Sequence, residues 1–178
     1  MSDHTTLNKE VSLIENGKIR TFVAQCLEKA PDYFWTCPSS STGKYHPADE
    51  NTMGGTILHT KRVTRIAADL CFSMGVTSVE KDCVIAAAIM HDMCKLGYPE
   101  EGRWTAPGHG ALWINVANKV IKSNVIIDSP TIQTIGRLIA CHMGRFDIPY
   151  VMADNKLDTI LQVSDYVASR AYVKVEVL

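Results

Sequence analysis

Apolar positions recur at helical spacing along most of this chain, and no stretch alternates at strand spacing over a useful length. The first predicted helix covers about 18–30. It places Ile19, Phe22, Val23, Cys26 and Leu27 on one face and stops at Pro31. A stretch rich in Ser, Thr, Pro and Gly follows, about 31–53, long enough to suggest a working loop rather than a plain connection. The second helix, about 55–74, starts after Gly54-Gly55 and closes at Gly75. The third, about 79–95, opens with a Thr77–Glu80 capping box and stops near Gly97. A second irregular loop, 97–108, leads to the fourth helix, about 109–123. The fifth takes Ser129 as N-cap and Pro130 as first helical residue and ends at Gly144, and the sixth covers about 155–172. The prediction is an all-α, single-domain bundle of about six main helices over 1–178, with 1–17 a tail or short helix and the core at 54–170.

Several ionisable groups interrupt the apolar faces. His59 lines up with Val63, Ile66 and Leu70, His91 with Val84, Ala87 and Ala88, and Asp92 with Ile85, Ala88 and Ile89. His109 leads Leu112, Trp113 and Val116, and His142 follows Ile135, Leu138 and Ile139. Asp165 follows Leu161 and precedes Ala168 and Tyr172. Taken singly, a histidine on such a face is an ordinary hydrogen-bonded core residue, and an aspartate caps a helix or pairs with a cation. Taken together, each needs its own buried partner, and basic residues on these faces are few. A divalent metal satisfies the whole set, because neutral imidazole and carboxylate are its usual nitrogen and oxygen ligands.

Composition narrows the partners. The chain has 178 residues, with 18 basic and 19 acidic side chains and a net charge of -1. It has no long-range positive field for strong binding to duplex nucleic acid, while a small anionic substrate remains compatible with local residues. The uninterrupted apolar run Val84–Met90 is far too short for a bilayer span, and MSDHTTLNKE lacks the apolar core of a signal peptide, so no membrane association is expected. Six cysteines are scattered without a CxxC pair, as expected of reduced core thiols in a cytoplasmic protein.

The segments GGTILHT (His59), IMHDMCK (His91, Asp92, Lys95), GHG at 108–110, IACH ending in His142 and LQVSDYV (Asp165) form an ordered set H…HD…H…H…D. The set resembles the HD-domain superfamily of metal-dependent phosphohydrolases over about 54–170. In that family the first histidine, the HD pair and the distant aspartate bind one metal. Members with two further histidines between them usually hold two, often iron. The resemblance therefore implies two divalent ions, Fe, Mn or another transition metal, on His59, His91, Asp92, His109, His142 and Asp165, with Asp92 shared. The residue before Lys95, often Gly in the family, is Cys94 here. PSSSTGKYHP ahead of Gly54-Gly55 and His59 is similar to the access loop of HD modules that act on nucleic-acid or nucleotide phosphates.

The implied activity is hydrolysis of a nucleotide or related small phosphate ester by a metal-activated water, as a phosphatase or phosphodiesterase. Asp92 and Lys95 are the candidate catalytic residues, with Lys95 stabilising phosphate or leaving-group charge; its plainer role is a cation at a helix C-terminus. Candidate substrate contacts are Lys44 and His46 in the first loop, with Arg62 and Arg170. The hydroxyls and backbone of Ser39–Gly43 could also cradle a phosphate. Gly43-Lys44 is not a Walker A motif, lacking its upstream glycine and following hydroxyl. Tyr98 and Trp104 in the second loop could stack on a base. Two other functions use the same ligand set: a mixed-valence diiron oxygenase, and a non-catalytic nucleotide-binding module that keeps the metal site. Lys95 and the polar loop favour hydrolysis.

Overall fold

The computed structural model describes residues 4–99, 101–123, 126–146 and 152–177. Residues 1–3 of the N-terminal stretch and Glu100 of the second loop therefore lie outside the described residues. Within them the chain is all-helical: α1 (Asn8–Ser12), α2 (Gly17–Glu28), α3 (Asp32–Thr36), α4 (Gly55–Ser73), α5 (Ser78–Met90), α6 (His109–Ile121), α7 (Ser129–Cys141) and α8 (Lys156–Ala168). Single 3-10 turns occupy His4–Leu7, Ala48–Asn51 and Gly144–Phe146. No described helix is long and apolar enough to cross a membrane.

The core is organised around α5. Every residue from Asp82 to Met90 is buried, so this helix is apolar almost all round and must be sheathed by neighbours. It packs on α1, α2, α4, α7 and α8. Thr77 and Glu80 start it with the expected capping box, each side chain bonded to the other's backbone amide (3.3 and 2.8 Å). Asp82, buried in its N-terminal half, accepts from the amides of Glu15 and Asn16 (3.0 and 2.7 Å) and pins the start of α2. α6 and α7 approach closely through two glycines. A Cβ on Gly110 would sit 2.5 Å from the Ile139 carbonyl oxygen, and one on Gly136 would sit 3.0 Å from the Trp113 ring. Arg137 ties α7 to α8 through Asp158 (2.8 Å).

The structure departs from the sequence expectations at several element ends. The stretch 31–53 is not irregular throughout: α3 buries Tyr33, Phe34 and Trp35, and a 3-10 turn buries Glu50. Five residues are too few to display a helical period, so the aromatic content was the only cue. α7 is capped by Asp128 rather than Ser129. The Asp128 carboxylate accepts from the Thr131 amide and hydroxyl (2.9 and 2.8 Å), which puts Ser129 and Pro130 inside the first turn. α8 ends at Ala168, not near 172, and Tyr172 is exposed rather than on the buried face. All six cysteines are free; five are buried and Cys37 is half-buried.

The two most informative departures involve histidines. α5 stops at Met90 instead of 95, and α7 at Cys141 instead of Gly144. In each case a histidine at the C-cap turns its ring back on its own helix. His91 Nδ1 lies 2.8 Å from the Ala88 carbonyl, and His142 Nδ1 lies 2.6 Å from the Ile139 carbonyl. Those carbonyls would have received amides from the next turn of a continued helix. The chain instead tightens through Met93 N to Met90 O (3.1 Å) and Lys95 N to Asp92 O (3.1 Å).

Candidate metal centre

All six predicted ligands converge. His59 comes from α4, His91 and Asp92 from the turn closing α5, His109 from the first residue of α6, His142 from the cap of α7, and Asp165 from α8. The four histidines and Asp92 are buried, while Asp165 is partly exposed. Ligand atoms of His59, His91 and Asp165 lie within 4.8 Å of one another, as do those of Asp92, His109 and His142. The groups adjoin as a row of rings, with centroids 5.4 Å apart for His59 and His91, 5.0 Å for His91 and His142, and 4.9 Å for His142 and His109. Asp92 lies between them. Its Oδ1 faces His109 Nε2 (3.1 Å) and His142 Nε2 (3.8 Å), and its Oδ2 faces His91 Nε2 (3.7 Å).

Backbone chemistry fixes how three rings point. His91, His109 and His142 each set Nδ1 against the carbonyl three residues earlier, at 2.8, 3.1 and 2.6 Å. A carbonyl only accepts, so each Nδ1 carries a proton and each Nε2 is turned inward, where a neutral ring presents a lone pair. His91 Nε2 is buried without a hydrogen-bond partner. His109 Nε2 and His142 Nε2 face each other at 3.2 Å. Burial, with His109 and His91 nearby, pulls His142 down to about 4, so it is neutral at pH 7. Burial likewise lowers His91, despite the nearby Asp92 and Asp165 carboxylates. Inward Nε2 atoms beside two carboxylates form a donor set that suits a divalent cation.

Tertiary contacts hold this arrangement. The Ala106 carbonyl that receives His109 belongs to a residue whose own amide bonds the Lys95 carbonyl (2.8 Å), linking the second loop to the turn after α5. Gln162 of α8 donates to the Cys141 carbonyl (2.6 Å), next to His142.

Lys95 is buried within the cluster. Its Nζ donates to Asp92 Oδ2 (2.7 Å) and to the Ser39 carbonyl. Burial disfavours both charges, but the pair outweighs it. Asp92 is held well below the usual carboxylate range by Lys95, His91 and His109, and Lys95 is raised above its ordinary value by Asp92.

The substrate candidates fall in two places. His46 is half-buried, its ring 4.8 Å from that of His59 and its Nδ1 2.7 Å from Glu50 Oε2. Arg62 is committed to Asp49 (2.6 Å), Glu50 (2.6 Å) and the Val175 carbonyl (3.3 Å). Arg170 stacks on Tyr166 and Tyr45 (4.4 and 5.4 Å), and Lys44 is exposed over Tyr45 (5.3 Å). In the Ser-rich loop, Ser40 Oγ takes the amides of Thr42 and Gly43 (3.3 and 3.0 Å), and Ser41 joins Thr105 of the second loop (3.0 Å). Trp104 is exposed against Arg103, while Tyr98 bonds Lys119.

Glu50 is the residue that the sequence pattern did not single out. Its carboxylate is fully buried, 3.2 Å from His59 Nδ1, in a stretch without periodicity where nothing marked an acidic side chain as inward-facing.

A bundle built around α5 with histidines from four elements facing two aspartates defines a helical protein with a candidate dinuclear centre. The HD domain family accounts for it: its model matches residues 56–170, and the chain belongs to that family of metal-binding hydrolases. No curated protein and no solved structure matches the chain.

Proposed function

We propose that this protein is a metal-dependent phosphohydrolase that acts on a nucleotide or related small phosphate ester. His59, His91 and Asp165 would hold one ion and Asp92, His109 and His142 a second, with Asp92 reaching both. When bound, such ions supply Lewis acidity toward phosphoryl oxygens and a nucleophilic water at neutral pH. The protein contributes orientation and charge. Three carbonyl-anchored imidazoles keep Nε2 turned inward without reorganisation, and the buried shell excludes bulk water, which strengthens electrostatic interactions inside.

The observation that carries hydrolysis is the position of Lys95. A buried ammonium attached to the central carboxylate is a cation available to phosphoryl oxygens at the centre. His46, which also borders the cluster, is the next candidate to touch substrate.

The test uses purified protein loaded with Mn(II) or Fe(II) and assayed on aryl phosphates, nucleotides, cyclic nucleotides and dinucleotides, with and without oxygen. Phosphate release that does not need oxygen supports the reading. Oxygen consumption without ester turnover would replace it with a diiron oxygenase, and tight nucleotide binding without turnover with a binding module.

A further inference from the structure

We infer that Glu50 is a positioning residue for the first metal group, acting through His59; this rests on the metal binding proposed for that group. His59 differs from the other three histidines because its Nδ1 has no backbone carbonyl anchor three residues earlier. It is buried and makes no full hydrogen bond, and Glu50 Oε2 is the acceptor that faces it, at 3.2 Å. On the opposite side of the ring, Nε2 lies 3.0 Å from Asp165 Oδ1. Glu50 thus stands where Ala88, Ala106 and Ile139 stand for the other rings, and a carboxylate in that position fixes the tautomer and strengthens Nε2 as a ligand.

Glu50 is itself held from several sides. Arg62 Nη1 reaches its Oε1 (2.6 Å), while His46 Nδ1 and Ser39 Oγ reach Oε2 (2.7 and 3.2 Å). Its backbone is fixed by Gly55, where an added Cβ would fall 1.8 Å from the Glu50 carbonyl oxygen. Arg62 also bonds Asp49, which holds the guanidinium against Glu50.

His46, Glu50 and His59 also have donor atoms within 4.8 Å of one another, which raises the alternative of a further ion there. Charge and valence argue against it. The Arg62 guanidinium already occupies Glu50, and His59 would have to bind through both nitrogens, which a neutral imidazole cannot do. The cluster is therefore a brace for the metal centre.

The experiment titrates Mn(II) alone into the metal-stripped full chain, parent and Glu50→Gln, with free ion followed by electron paramagnetic resonance. Two ions should bind the parent. In the variant one of them should weaken about 10–100-fold, the usual effect of losing such a partner, while the other changes little. Equal weakening of both ions, or parent-like uptake of both, would overturn the positioning role. A parent that takes up no Mn(II) overturns the metal reading and this inference with it. If Glu50→Gln does not fold, nitrogen-15 spectra of the Zn(II)-loaded parent with labelled histidine decide. His59 protonated at Nδ1 and metal-bound at Nε2 supports the proposal, and metal at Nδ1 ends it.

Discussion

His109 Nε2 and His142 Nε2 face each other across 3.2 Å, while the opposite nitrogen of each ring is tied to a backbone carbonyl. Two neutral imidazoles in that pose point lone pair at lone pair. A cation relieves this repulsion, and without one a proton must do so.

His109→Ala and His142→Ala should each bind one ion fewer than the parent while keeping the ion on His59, His91 and Asp165. Metal analysis after desalting measures this. An unchanged metal-to-protein ratio in both variants would make these two histidines core residues of a mononuclear site.

Gly110→Ala tests the same geometry without replacing any of the six side chains. Its new Cβ would meet the Ile139 carbonyl at 2.5 Å and His142 Nδ1 at 3.3 Å, so α6 and α7 must separate. Forced overpacking of this kind costs about 1–3 kcal/mol. Thermal melts should show that loss together with weaker uptake of the second ion, because the carbonyl being displaced anchors His142.

Lys95→Ala should keep the metals and lose turnover, by roughly tenfold to a thousandfold if the ammonium stabilises phosphoryl charge. Metal-free protein should suffer differently: losing one partner of a buried pair leaves Asp92 uncompensated, at a cost of about 3–5 kcal/mol. Metal should restore part of that stability. A variant with parent-like turnover would assign Lys95 a structural role only.

Metal uptake should also release protons. Burial lowers the basicity of His59, but Asp165 and Glu50 outweigh it and raise its value to about 9 in the metal-free protein. An ion must therefore displace a proton at pH 7, and apparent affinity should rise about tenfold per pH unit until about 9. The stability effect has the opposite sign. His59 contributes fully below its ordinary value of 6.5 and progressively less as pH rises through about 9. Calorimetry in buffers of different ionisation enthalpy would detect the proton, and uptake independent of pH from 6 to 9 would exclude it.

The six converging side chains were legible in the sequence because ionisable groups on apolar faces violate a pattern that is otherwise strict. His59 beside Val63, and His142 after Leu138 and Ile139, stand out for that reason. The helix ends were less legible. Periodicity carried α5 on to 95, since it cannot register a side chain that captures a carbonyl of its own helix. Glu50 was invisible for a different reason: its burial depends on Arg62 and His46 arriving from other parts of the fold, and no local spacing encodes that meeting.

Because His91 and His142 are anchored to the last turn of the helix that carries them, ring direction and helix length are one variable. One residue inserted within α5 would rotate the downstream residues by about 100° and swing His91 and Asp92 out of the row. The same insertion in the exposed span 101–104 could be absorbed before Ala106. This chain should therefore tolerate length changes in its second loop and very few in α5 or α7, so that any redesign of its specificity belongs in the loops.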